Sequence, residues 1–195
     1  MAPASCAGVK RRTVLIVSET DPSSGSRSVD EHRRLAREAR VRCAVVTVSD
    51  TRTPETDSGG DLIRQRLHDA GHEVVRSIIV NDEPDQVAHL LDGHFAVAAQ
   101  AVLFTGGTGI SERDRTYEAI SGRLERTLPG FGEIFRMLSF AEIGAAAMLS
   151  RAVAGTHRGR LVVCMPGSPN AVRLAMDRLV VPELAHLIWE LTRHR

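Results

Sequence analysis

The sequence predicts an α/β domain in three layers, a mainly parallel sheet flanked by helices on both faces. Three observations carry this expectation. Residues 41–48 (VRCAVVTV) and Ala101–Thr105 (AVLFT) are almost unbroken apolar runs rich in β-branched side chains, as expected of parallel strands covered on both faces. Stretches with helical spacing of apolar residues separate the strands. Turn-rich segments at 49–60, 106–114 and 166–170 follow three of the strands, where ligands bind in folds of this class.

The elements follow in order. After the first strand, Leu62, Ile63, Leu67 and Ala70 trace one helical stripe, closed by Gly71. Glu73–Val80 reads as a second strand, and Pro84 opens a helix carrying Val87, Leu90 and Leu91. The third strand, Ala101–Thr105, ends in Gly106-Gly107-Thr108-Gly109. Residues 115–128 read as a helix, because Ile120, Leu124 and Leu128 recur four apart. A further helical region runs from about 132 to 151, with an interruption near Gly144. Residues 161–165 form a fourth strand, which Pro166-Gly167-Ser168-Pro169 turns into a helix. Pro182 starts a last helix with Leu184, Leu187, Ile188 and Leu191 on one face.

At 195 residues the chain holds one domain and an extra segment. Residues 1–40 carry a net charge of +3 and lack aromatics; they read as a flexible charged leader with a short helix over 29–40. The domain then spans 41–195. Overall the charges nearly cancel, 25 Lys+Arg against 24 Asp+Glu, which argues against a nucleic-acid or membrane surface. Aromatics make up only 4%, too few for a base-stacking platform. Cys6, Cys43 and Cys164 cannot make a disulfide framework, so a reducing, cytoplasmic compartment is expected. No apolar run approaches the ~20 residues of a membrane span, and residues 13–18 are too short for a signal peptide.

The glycine loop after the third strand lets backbone N–H groups come close to an anion. It lacks the Gly-Lys-Ser/Thr of a P-loop, and Glu112 stands where the dinucleotide fingerprint needs its third glycine. A phosphate site and a tight strand-to-helix connection are both open at this point. Asp82 and Asp114 lie just before helices, where capping is the ordinary role. Gathered at the strand ends beside the glycine loop, they also suit Mg²⁺, which takes one or two carboxylates and substrate phosphates. Ser168 and Pro169 fit the cap and first position of a helix whose N-terminus faces the same region. His68 and His72 have no nearby third ligand, so zinc is disfavoured. The lack of a Gly-x-Ser-x-Gly elbow disfavours covalent catalysis.

Taken together, the motifs resemble the molybdenum cofactor biosynthesis protein B family, which is similar to molybdopterin adenylyltransferases and to the molybdopterin-binding domains of gephyrin. The matching residues are Thr47-Val-Ser-Asp-Thr-Arg-Thr53, Asp57-Ser-Gly-Gly60, Thr105-Gly-Gly-Thr-Gly109 with Arg113-Asp114, Pro129-Gly-Phe-Gly-Glu133, Leu149-Ser-Arg151 and Met165-Pro-Gly-Ser-Pro-Asn-Ala171. The stretch from Phe135 to Gly144 leans toward the protein B branch.

The resemblance implies a molybdopterin-binding fold and Mg²⁺-dependent transfer of AMP from ATP to the terminal phosphate of molybdopterin. It assigns catalysis and metal binding to Asp82 and Asp114. Substrate binding would fall to Ser49, Asp57, Gly60, Thr105, Gly106, Gly107, Thr108, Gly109, Pro166, Gly167 and Ser168. A homo-oligomer, trimer or hexamer, is implied, with the enzyme that inserts molybdenum as a partner. A non-catalytic molybdopterin-binding or assembly protein is the alternative from another class. The chain departs from many relatives in one place, with Gly59 where they carry Ser and a hydroxyl one residue earlier, at Ser58. Among the aromatics, Phe131, Phe135 and Phe140 cluster within ten residues and read as core or as a subunit contact.

Overall fold

The computed structural model describes residues 39–193. One six-stranded sheet runs through it in the order β2-β1-β3-β6-β5-β4. The strands are β1 (Arg42–Val48), β2 (Glu73–Val80), β3 (Ala101–Thr105), β4 (Arg126–Thr127), β5 (Val153–His157) and β6 (Arg160–Met165). β2, β1, β3 and β6 are parallel, while β5 and β4 continue the sheet antiparallel. In register, Val45 lies beside Leu103 and Leu103 beside Val163.

Side chains alternate across a strand, and here the alternation builds two cores. Cys43, Val45, Leu103, Val163 and Met165 face one side, against α1 (Ser58–Asp69), α5 (Pro129–Ile143), α6 (Pro169–Ala175) and α7 (Val181–Thr192). Ala44, Val46, Phe104 and Cys164 face the other, against α2 (Pro84–Asp92), α3 (His94–Val97) and α4 (Thr116–Ser121). The expected three layers are thus present. Burial pushes the Cys43 and Cys164 thiols up to about 12, so both act as small apolar side chains. Cys6 and nearly all of the leader lie outside the described residues. No helix among the described residues is long and apolar enough to cross a membrane.

The structure corrects three readings. The helix expected over 115–128 ends at Ser121, and the chain turns at Gly122 into β4. The four-residue spacing of Leu124 and Leu128 misleads, because the two pack on opposite faces of the sheet. The region from 132 to 151 is α5 from Pro129, then a tight 3-10 turn over Gly144–Leu149; Gly144 breaks it as expected, at φ +62°. Finally, Pro182 does not begin a separate helix. A wide π turn at Met176–Val180 joins α6 to α7, which keeps helical backbone through a residue that has no N–H to give.

Candidate functional site

The parallel strands point their carboxyl ends at a cleft of about 660 Å³. Ser49, Asp50 and Arg52 reach it from the loop after β1, and Asp82 from the end of β2. The loop after β3 contributes Gly106 to Gly109, Ser111, Arg113 and Asp114. Pro166, Gly167, Ser168 and Pro169 come from the end of β6, and Leu149 and Ser150 close one side.

The glycine loop is shaped by close approach. Gly106 has φ +96°, and a Cβ there would lie 2.2 Å from the Val48 carbonyl oxygen. A Cβ on Gly107 would lie 2.4 Å from Asp82 Oδ2 and 2.3 Å from Thr116 Oγ1. Any side chain at Gly107 would push the loop off the buried carboxylate. The Gly106 N–H donates to the Met165 carbonyl at 3.1 Å, so this amide is spent on the sheet and does not belong to an anion cradle. Among the described residues, the N–H groups of Gly107, Thr108 and Gly109 have no protein acceptor. Thr105 is buried behind the loop, and its hydroxyl donates to the Pro166 carbonyl at 3.2 Å. Ser168 caps α6 as expected, its Oγ accepting from Ala171 N–H at 3.3 Å with Pro169 in the first turn.

Asp82 is buried and does not cap the helix that follows it; that helix begins after Glu83 without a side-chain cap. Its carboxylate turns instead to α4. Oδ1 accepts from the Thr116 hydroxyl at 2.9 Å and Oδ2 from the Arg115 N–H at 3.3 Å. Burial raises Asp82 above the usual carboxylate range, and the charges of Asp114 and Asp50 push the same way. Asp114 is half-buried and caps nothing; its Oδ2 accepts a short hydrogen bond from the Ser111 hydroxyl. Asp50 makes a forked pair with Arg113 at 2.8 and 3.1 Å, and Arg113 also reaches Glu83 at 2.9 Å. That guanidinium, with the Asp82 N–H, holds Asp50 below the usual range. Among the described residues no three or more His, Cys, Asp or Glu gather as a metal site.

Besides Thr105, which does not line the cleft, two more of the residues expected to bind substrate lie beneath it. Asp57 is buried as the cap of α1, accepting from Gly60 N–H and from the Thr47 hydroxyl, each at 2.9 Å. Gly60 packs directly on that carboxylate. Both shape the base of the Ser49 loop, and neither lines the cleft. Ser49 does line it, and its Oγ also accepts from the N–H groups of Thr51 and Arg52 at 3.3 and 3.2 Å. The shifted hydroxyl of Ser58 bonds Arg52 at 3.1 Å, while Gly59 lies against the Gly167 carbonyl.

Arg151 escaped the sequence reading as a site residue. It donates to the carbonyls of Thr108 at 2.9 Å and Asp114 at 3.1 Å, and to that of Gly109. Its only signal in the sequence was membership of the Leu149-Ser-Arg151 motif, far downstream of the loop it holds.

Comparison with known proteins agrees with this architecture. Residues 44–186 match the model of a family described as a probable molybdopterin binding domain. The molybdenum cofactor biosynthesis protein B of Halalkalibacterium halodurans is 50% identical over 174 residues, covering 86% of this chain and 99% of the relative. A crystal structure of a molybdenum cofactor biosynthesis protein B is 49% identical and superposes with a TM-score of 0.76, covering 80% of this chain and 98% of that one. The tungsten cofactor synthesizing protein of Pyrococcus furiosus is 35% identical with a TM-score of 0.70, covering 77% of this chain and 96% of its own. Fold, cleft and likeness converge: the chain belongs to the molybdenum cofactor biosynthesis protein B family, and its role lies in making that cofactor.

Proposed function

We propose that the protein is a molybdopterin adenylyltransferase. The observation that carries this reading is one cleft where two acidic side chains, Asp82 and Asp114, stand beside a loop whose Gly107, Thr108 and Gly109 amides have no acceptor among the described residues. In the reaction, an oxygen of molybdopterin's terminal phosphate attacks the α-phosphorus of ATP. The bond between the α-phosphorus and the bridging oxygen breaks, and pyrophosphate leaves. Such a transfer needs positioning and charge neutralisation more than a covalent group. The amides of Gly107, Thr108 and Gly109 bind phosphate oxygens, and the turn at Gly167 and Ser168 lines the same cleft beside them.

The donor set fits Mg²⁺. Asp82 and Asp114 offer hard carboxylate oxygens on one cleft, and an ion that takes only one or two carboxylates needs no larger protein cage. When bound, the ion would neutralise phosphate charge between these two side chains. A protein that only binds molybdopterin has less use for a buried carboxylate beside a phosphorylated ligand, because like charges repel. The test is to incubate the protein with molybdopterin, ATP and Mg²⁺ and follow adenylylated product and pyrophosphate. Stoichiometric product release supports the enzyme. Tight molybdopterin binding with no ATP consumed supports the non-catalytic alternative.

A homo-oligomer belongs to the same proposal. Of the clustered aromatics, Phe135 is fully buried in this chain's own core, with Phe131 stacked on it at 6.4 Å. Phe140 is 63% exposed, alongside Ile134, Met137 and Ile143 on the same helix. This apolar surface on α5 supports a contact with a second copy. Phe140→Ser is expected to lower the mass seen by light scattering while the melting of the chain changes by about 0.5 kcal/mol or less. A wild-type monomer at all concentrations would overturn the assembly.

A further inference from the structure

Arg151 stands between the 3-10 turn and β5, outside the lining of the cleft, yet it grips the loops that form it. Its Nε donates to the Thr108 carbonyl at 2.9 Å. One terminal nitrogen donates to the carbonyls of Gly109 and Asp114, the latter at 3.1 Å. The other pairs with Glu118, and the guanidinium lies over the Tyr117 ring, 5.0 Å from its centre. Four of its five N–H donors are therefore engaged by protein. The side chain is held in place and acts through the backbone it holds.

A trans peptide directs its carbonyl and its N–H to opposite sides. Each carbonyl drawn toward Arg151 thus aims the next N–H away from it, at Gly109, Ile110 and Arg115. The Arg115 N–H ends on Asp82 Oδ2 at 3.3 Å. The Gly109 N–H faces no protein acceptor among the described residues. One cation therefore fixes both a donor to the buried carboxylate and a donor left for the ligand.

We infer that Arg151 is a positioning residue for nucleotide phosphates, acting by orienting the peptide units of the glycine loop and of Asp114–Arg115. The inference rests on the proposed adenylyltransferase reading for the identity of the ligand, but the clamp itself is separable from it. Lysine cannot replace the clamp, because a compact ammonium lacks the planar fork that meets three carbonyls at once.

The test compares wild type with Arg151→Lys and Arg151→Met, and with Arg66→Gln as a control for loss of an arginine ion pair elsewhere. Arg66 pairs with Asp177, outside the cleft. Two quantities are read: the Kd of a non-hydrolysable ATP analogue with Mg²⁺ by calorimetry, and the ¹⁵N amide resonances of Gly109 and Arg115. Both Arg151 variants are expected to weaken binding by about 10-fold or more and to move both resonances, while Arg66→Gln does neither. If Arg151→Met does not fold, Arg151→Lys, which keeps the charge and the stem, decides. Arg151→Lys with unmoved resonances or wild-type affinity overturns the inference. A wild type that binds no analogue, in a protein whose resonances still move in Arg151→Lys, overturns the nucleotide reading and leaves the clamp standing.

Discussion

Asp82 precedes α2 at the cleft end of the sheet, and Asp92 closes the same helix at the far end. Neutral groups alone hold Asp82, a hydroxyl and a peptide N–H. Asp92 is wrapped by basic side chains: His157 at 2.7 Å, Arg123 at 3.3 Å and Arg158 at 3.8 Å. Burial raises Asp82, and nothing opposes it enough. Burial pushes Asp92 up too, but its bonds to His157 and Arg123 outweigh this and leave it below the usual range. A carboxylate at a helix C-terminus also meets the negative end of the dipole, so cations there have an ordinary structural purpose. Among the described residues no cation is bonded to Asp82, whereas the charge of Asp92 is cancelled by basic side chains that hold elements together.

Substituting Asp82 should produce the largest divergence. Asp82→Asn is expected to cut turnover on the order of 10²-fold or more while the melting temperature stays level or rises. The Thr116 hydroxyl can rotate to accept from the new amide, leaving the amide oxygen for the Arg115 N–H. Full turnover in this variant would erase the distinction between the two ends. Asp92→Ala should do the reverse, keeping turnover and lowering stability by about 1 kcal/mol, or roughly 2–4 °C, the figure being modest because Asp92 is partly in water. A loss of turnover at unchanged melting would place Asp92 in the chemistry instead.

Smallest and most diagnostic is the pH dependence of melting. A carboxylate raised by folding costs stability above its raised pKa, and the cost vanishes as pH falls below the ordinary value of about 3.9. Any advantage of Asp82→Asn over wild type should therefore hold at neutral pH and fade in acid. Asp92 is lowered by folding, so its contribution is present above about 3.9 and lost as pH falls through its lowered value. Melting curves of the three proteins from pH 3 to 8 check both signs. An Asp82→Asn advantage that grows in acid would contradict the burial argument.

The parallel part of the sheet was legible chiefly because β1, β3 and β6 are covered on both faces and so read as near-continuous apolar runs. The antiparallel half was not. β5 is VAGTH, five residues without such a run, and β4 is two residues defined only by its partner. Their pairing is a property of the folded neighbourhood, not of local pattern. The site divides in the same way. The strand-end loops, the two aspartates and the Ser168 cap were readable from turn chemistry and position. The burial of Asp57 and Gly60, the engaged Gly106 N–H and the reach of Arg151 depend on contacts between segments distant in the chain. The same holds for Asp82, whose position suggested a local cap while its oxygens serve a different helix.

The strand order has a consequence for how the protein comes into being. β1 can pair with its neighbour β2 early, but β3 must return to the other side of β1, and β6 must then join β3. Such non-local pairings are slow, because the chain between them has to be ordered first. Gly106 and Gly167, which pack side by side where the neighbouring strands β3 and β6 end, come together only when β6 docks. A nascent or truncated chain that lacks β6 therefore lacks the Pro166–Pro169 side of the cleft, and the cleft is complete only when folding is. Under the proposed function, refolding followed by nucleotide binding should lag refolding followed by helix content.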